Sequence, residues 1–247
     1  MVLEGPSAAL ALAPIAFTGS LVQGVTGFGS ALITIPLATY FVPLPFALAV
    51  FAIGDFANAL RLGLENPRNA ARSEILRMVP FMIIGIVAGT TLLVNLPRNA
   101  SLLALGVFVL GYSLYTLTRR ASPASVSRRW AYLAGFCGGA SGTLFGAGGP
   151  PYAIYLSHRP LSKEQFRATI TLTTIFSLGF RIVAFALTGL LAQDGVWITA
   201  AATIPAGLAG IYIASRIFRR ISREMLLRAV GALLLASGAS LVLRALA

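Results

Sequence analysis

The 247 residues are 57% hydrophobic and 11% charged, with a mean hydropathy of +0.85, whereas a soluble domain is about 45–50% apolar and about 25% charged. Nineteen Lys and Arg against seven Asp and Glu give a formal net charge of +12. These values exclude a soluble domain and read as an integral membrane protein in lipid, whose excess of basic residues belongs to cytoplasmic loops rather than to nucleic acid.

The N-terminal stretch carries Glu4 and no Lys or Arg before Arg61. It lacks the basic region of a cleavable signal peptide, so the first apolar segment is read as mature structure. Along the chain, Ala8–Val42 is apolar, glycine-rich and too long for one simple crossing. Pro45–Leu62 is a span containing Asp55 and Arg61. Met78–Pro97 and Asn99–Thr118 are spans of 20 residues without an ionised side chain. Trp130–Leu156 is the second glycine-rich segment, with no Asp, Glu, Lys or Arg. Ala168–Leu190 carries Arg181, Gly195–Ser215 is clean, and Met225–Leu243 has Arg228 near its start. That makes six spans and two segments rich in helix breakers.

The chain repeats itself. PFMIIG (Pro80–Gly85) matches PAGLAG (Pro205–Gly210), and LPRNASLLALG (Leu96–Gly106) matches ISREMLLRAVG (Ile221–Gly231), both at an offset of 125. GFG (Gly27–Gly29) matches GAG (Gly146–Gly148) at 119, and Arg61 matches Arg181 at 120. Two membrane repeats are expected, residues 1–118 and 130–247, joined by a basic cytoplasmic linker at 119–129.

Four loops hold most of the positive charge: Arg61–Arg77, the linker, Ser157–Arg167 and Arg216–Arg228. Placed together in the cytoplasm, they take sixteen of the nineteen basic residues. The linker and Ser157–Arg167 then share a side, so Trp130–Leu156 must cross an even number of times. A hairpin that enters, breaks and returns satisfies this, and the repeat extends it to Ala8–Val42. A single crossing of each broken segment stays open as the alternative. The expected fold is all-α and polytopic. It has two inverted repeats, each a glycine-broken, re-entrant hairpin plus three transmembrane helices, as in many secondary transporters.

Irregular backbone at membrane depth is tolerated where it is buried in protein or lines a cavity. GAGGPP (Gly146–Pro151) reads as a break followed by a half-helix, whose N-terminus suits an anion. Gly27, Phe28 and Gly29 form the matching break, and Gly146, Ala147, Gly148 and Gly149 the second. Close packing through small residues is the competing reading. Arg181 lies deep in its span, where an ionised group is costly and turns inward. Asp55 is the one carboxylate well inside a span. It relays a proton or, the preferred reading, neutralises an Arg. Arg61, the repeat partner of Arg181, is with Asp55 a coupling or charge-balancing candidate, and because it lies nearer a loop snorkelling is the preferred reading. Asn58, Thr171, Thr173, Thr174 and Ser177 add polar groups, with Thr173, Ser177 and Arg181 on one face at i, i+4 and i+8. Hydroxyls bonding their own helix carbonyls are the plain alternative. Gln23, Thr26 and Ser141 flank the breaks, and Trp130 and Trp197 mark span ends.

One cysteine, Cys137, and one histidine, His158, give neither a disulfide nor a metal-ligand spacing. No cofactor is expected, and no catalytic or phosphate-cradling motif is present.

VQGVTGFGSALITIPL (Val22–Leu37), GFCGGASGTLFGAGGPPYAIYL (Gly135–Leu156) and FRATITL (Phe166–Leu172) resemble the TauE/SafE family of sulfite and organosulfonate permeases. The resemblance covers essentially the whole chain. It implies a small, twofold-repeated transporter of sulfur-containing anions or related carboxylates in the inner membrane, with the two glycine breaks facing each other across a central anion site. GFGS in the first half stands where the second has GAGGPP, which leaves Phe28 two roles, binding with the glycines around it or gating. The expected function is secondary transport of sulfite or organosulfonates, with coupled protons as a further expectation. A carboxylate carrier and a membrane scaffold without substrate are the rivals.

Overall fold

The computed structural model describes residues 6–64, 67–118 and 126–217, together with the isolated positions 235, 239, 242 and 243. The described residues are helical with no strand: α1 (Pro6–Thr26), α2 (Ser30–Ala38), α3 (Leu44–Gly63), α4 (Arg72–Asn95), α5 (Arg98–Thr118), α6 (Trp130–Phe145), α7 (Gly149–Ser157), α8 (Lys163–Leu187) and α9 (Val196–Ile217). Five of the six expected spans appear as α3, α4, α5, α8 and α9. Most of Met225–Leu243, the fourth basic loop beyond Ile217 and most of the linker lie outside the described residues. Among the described residues five helices are long and apolar enough to cross a membrane, α1, α3, α4, α8 and α9, whereas α5 holds a shorter apolar stretch, Asn99–Tyr115. Leu76, Val87, Val107, Val183 and Ile198 stand exposed along α4, α5, α8 and α9. Water would penalise such a surface, and lipid accepts it. Trp130 and Trp197 are exposed at the starts of α6 and α9, as interfacial anchors are.

Both glycine-rich segments are broken helices, as expected from the sequence. α1 ends at Thr26 and α2 begins at Ser30. α6 ends at Phe145 and α7 begins at Gly149. The breaks are built on positive φ at Gly27 (86°), Gly29 (93°) and Gly146 (72°), a region that side chains with Cβ rarely enter. Local polar groups hold the altered path. The Ser141 hydroxyl donates to Ala147 O at 3.1 Å while Ala147 N–H donates to Ser141 O at 3.3 Å. In the first break, Thr26 Oγ1 donates to Val22 O and accepts from Phe28 N–H.

The second segment doubles back. Gly148 lies against Gly142, and Tyr152, one turn on, lies against Gly138, so α7 runs antiparallel to α6. Beyond α7, the Arg159 guanidinium donates to Val126 O at 3.0 Å, just before α6. The segment therefore returns to the end at which it started. The first segment also folds back, with Thr34 of α2 against Gly19 of α1.

The helices of the two halves interleave. The most extensive pairings are α4 with α6 and α1 with α9, and their contacts are reciprocal. A Cβ on Gly85 of α4 would lie 2.1 Å from Phe136 O of α6. A Cβ on Gly210 of α9 would lie 2.6 Å from Phe17 O of α1. Gly85 and Gly210 differ by 125, Phe17 and Phe136 by 119, the two offsets seen in the sequence. Gly139 on Met82 likewise mirrors Ser20 on Gly207. These glycines serve close backbone approach between helices, unlike those of the breaks. Gly85→Ala and Gly210→Ala are each expected to wedge a helix pair apart and cost about 1–3 kcal/mol, as overpacking does. Thermal unfolding in detergent measures this, and an unchanged midpoint for either would contradict the packing described.

Candidate functional site

The two breaks meet. Phe28 of the first packs on Gly149 of the second, so closely that a Cβ there would sit 2.3 Å from its ring. Phe28 joins the apolar cluster of α4, α6 and α7 that includes Met78, Met82 and Tyr152. Around this contact lies a cavity of about 30 Å³, room for a water or two. The first break contributes Phe28, Gly29, Ser30 and Ala31, and the second Gly146, Ala147, Gly148 and Gly149. The breaks thus face each other across a shared space.

Two half-helices start at this space. α2 has Gly29 as its N-cap and α7 has Gly148, neither with a side-chain cap. Open first-turn amides and the positive dipole end favour an anion. The two ends differ: Pro150 and Pro151 leave Gly149 as the N–H bearer among the first three residues of α7, whereas α2 opens on Ser30 and Ala31.

Two charges line the same cavity. Arg181 of α8 is 3% exposed and Asp55 of α3 is 5% exposed. Arg181 Nη1 donates to Gly142 O in α6, and its guanidinium lies 6.0 Å from the Phe185 ring centre. Its Nε–H has no hydrogen-bond partner. Ser30, at the start of α2, lines the cavity beside Asp55. Among the described residues no direct ion pair joins Asp55 and Arg181, so both remain available to a third group. Gln23 of α1 adds a buried amide whose oxygen is also unpartnered. Tyr152 and Ser177 line the cavity and share a hydrogen bond of 3.2 Å.

Of the residues singled out in the sequence, Phe28, Gly29, Gly146, Ala147, Gly148, Gly149, Asp55, Ser177 and Arg181 line the cavity. Gly27, Asn58, Thr173 and Arg61 do not. Gly27 abuts Ile170 and Thr171 of α8. Asn58 donates to Ser20 Oγ at 2.8 Å, in the packing of α3 on α1. Thr173 donates to Thr169 O of its own helix, and Thr174 takes the cavity position instead. Arg61 is exposed at the end of α3. The lining face of α8 is thus Thr174, Ser177, Leu178 and Arg181, closer to a true helical repeat than i, i+4, i+8. Sequence reasoning missed Ser30 and Tyr152. Their signal was position, each in the first turn of a half-helix that follows a break.

A second polar cluster was also missed. Glu74, 4% exposed in the first turn of α4, accepts from Tyr155 Oη at 2.5 Å. It also pairs with Arg159 Nη2 at 3.1 Å. Arg159 bonds Val126 O as well, so α4, α7 and the segment before α6 are tied at one end. Glu74 is hidden in the sequence among four arginines.

These features define a polytopic α-helical membrane protein whose opposed helix breaks close on a small cavity that holds two buried charges. The sequence model of the family described as "Sulfite exporter TauE/SafE" matches residues 12–241, and the chain belongs to this family of membrane transporters. It is also similar to the "Probable inner membrane transporter protein TsaS" of Comamonas testosteroni, 26% identical over 188 residues, covering 75% of this chain and 77% of that protein. No solved structure matches the chain.

Proposed function

We propose that this protein is a secondary transporter or facilitator of small sulfur oxyanions, sulfite or organosulfonates, in the inner (plasma) membrane. The observation that carries this reading is the cavity between the opposed breaks, with the unpartnered Arg181 Nε–H and two half-helix N-termini beside it. A tetrahedral oxyanion needs several donors converging from different directions, and this arrangement supplies them. The family description and the relative's name support transport.

Alternating access is part of the proposal. A cavity of about 30 Å³ is too small for a whole organosulfonate, so the present form is a closed one. Opening requires the two hairpins to part at the contact of Phe28 with Gly149. The repeats 1–118 and 130–247, joined by a cytoplasmic linker at 119–129, are the bodies proposed to rock. Each would hold a re-entrant hairpin and three crossings, an odd number, which inverts one repeat relative to the other. The basic loop 61–77, the segment before α6 and the loop after α7 meet through Glu74, Arg159 and Val126. Their convergence supports a shared cytoplasmic side.

Proteoliposomes holding the purified chain test the reading with labelled sulfite, methanesulfonate and acetate under competition. Flux of the sulfur anions, inhibited poorly by acetate, is the expected result. Preferential acetate flux would favour a carboxylate carrier. Silence for every anion, by tracer as well as by current, would favour a scaffold.

A further inference from the structure

Asp55 and Arg181 are the ionisable acid–base pair among the residues around the cavity, one from α3 and one from α8. The groups near Asp55 come from five other elements. α8 brings Arg181, α2 the Ser30 hydroxyl, α7 Tyr152, and α1 the Gln23 amide. From α9, Thr203 lies beside the neighbouring Gly54. None of these is a second carboxylate or a histidine.

Charge counting then constrains the occupant. With Asp55 ionised, Arg181 is already balanced and the empty cavity is neutral. A monovalent anion would leave one uncompensated negative charge among lining residues that bring no second cation. An unbalanced buried charge costs several kcal/mol. A proton on Asp55 removes the imbalance and frees the guanidinium for the anion. Its Nε–H, buried and unpartnered, is a donor ready for that contact. Neutralising Asp55 costs its polar surroundings nothing, because a carboxylic acid can both donate to and accept from a hydroxyl such as that of Ser30 beside it. A dianion would stay unbalanced by one charge even then.

We infer that the cavity takes a monovalent oxyanion together with one proton on Asp55, so that transport is electroneutral anion–proton symport that discriminates against dianions. This rests on the anion-transport reading above. The proton enters Asp55 from the side on which the anion enters and leaves with it on the other, so charge is conserved through the cycle.

The test uses the full chain in liposomes with methanesulfonate, which stays a monoanion between about pH 5 and 8, so that any proton movement belongs to the protein. A trapped pH dye and labelled substrate give the proton-to-anion ratio. The expected ratio is one, with no current. One pH unit corresponds to 1.36 kcal/mol, so a one-unit inward gradient should sustain about tenfold accumulation. Asp55→Asn, close in shape and without a titrating group, should lose that accumulation. Methanesulfonate flux that carries current without moving protons would overturn the inference and leave the transporter reading standing. So would sulfate moving as fast as methanesulfonate, and a ratio still at one in Asp55→Asn would remove Asp55 from the role. Absence of all anion flux in the unmodified chain is a different result, and defeats the transporter reading itself. The ratio in the unmodified chain decides the matter even where the variant does not fold.

Discussion

Arg181→Ala is expected to weaken anion binding by about ten- to a hundredfold and to abolish flux in proteoliposomes. The side chain crosses from α8 to Gly142 O in α6 and leaves Nε–H unpartnered beside the cavity. A hydrogen bond to a charged group is worth about 1.5–3 kcal/mol, and about 1.4 kcal/mol is tenfold in affinity. Stability must be separated from binding. Removing the guanidinium alone leaves the buried Asp55 without its balancing charge, which lowers stability. The double variant Asp55→Asn with Arg181→Ala leaves no buried charge and should fold better than Arg181→Ala. It should still fail to bind methanesulfonate or sulfite. Measured by ligand-induced shifts in thermal unfolding, unchanged affinity in the folded double variant would take Arg181 out of the site.

Glu74→Ala is expected to lower stability by about 3–5 kcal/mol, the typical cost of removing one partner of a buried ionic network. Tyr155 and Arg159 both donate to this carboxylate, and the Arg159 side chain is itself only 10% exposed. Glu74→Gln keeps an acceptor for Tyr155 but loses the charge opposite Arg159, so its loss should be smaller. Arg159→Ala in the Glu74→Ala background should cost less than Arg159→Ala alone, because the pair acts as a unit. Additive losses in that cycle would mean that the cluster is not coupled. The same network seats the C-terminal end of α7, whose N-terminal end opens on the cavity. Loosening it is therefore expected to slow transport as well as to lower the midpoint.

Composition decided the solvent of this protein, because 11% charge cannot coat a water-facing surface of this size. Period and punctuation decided the elements: long apolar runs became α3, α4, α5, α8 and α9, and clustered glycines became the two breaks. These were legible because in lipid each span must satisfy its own backbone, so local sequence and local structure agree. In the contacts of Gly85 with Phe136 and of Gly210 with Phe17, the two glycines and the two phenylalanines are separated by the offsets read along the chain, 125 and 119.

What the sequence alone determined is thus the membrane class, the broken helices, and Arg181 with Asp55 as charges that must turn inward. Which neighbours share a space was a tertiary decision. Arg181 and Arg61 match across the repeat, yet one is buried at the cavity and the other exposed at a helix end. Thr173 and Thr174 are adjacent and chemically identical, and only the rotation of α8 against α3 and α7 sends Thr174 into the cavity. Glu74 reads as one acid among arginines until α7 returns along α6 and brings Tyr155 and Arg159 to it. Glu74 meets Tyr155 and Arg159 across 81 and 85 positions of chain, and a pattern read along the sequence carries no distance across the fold.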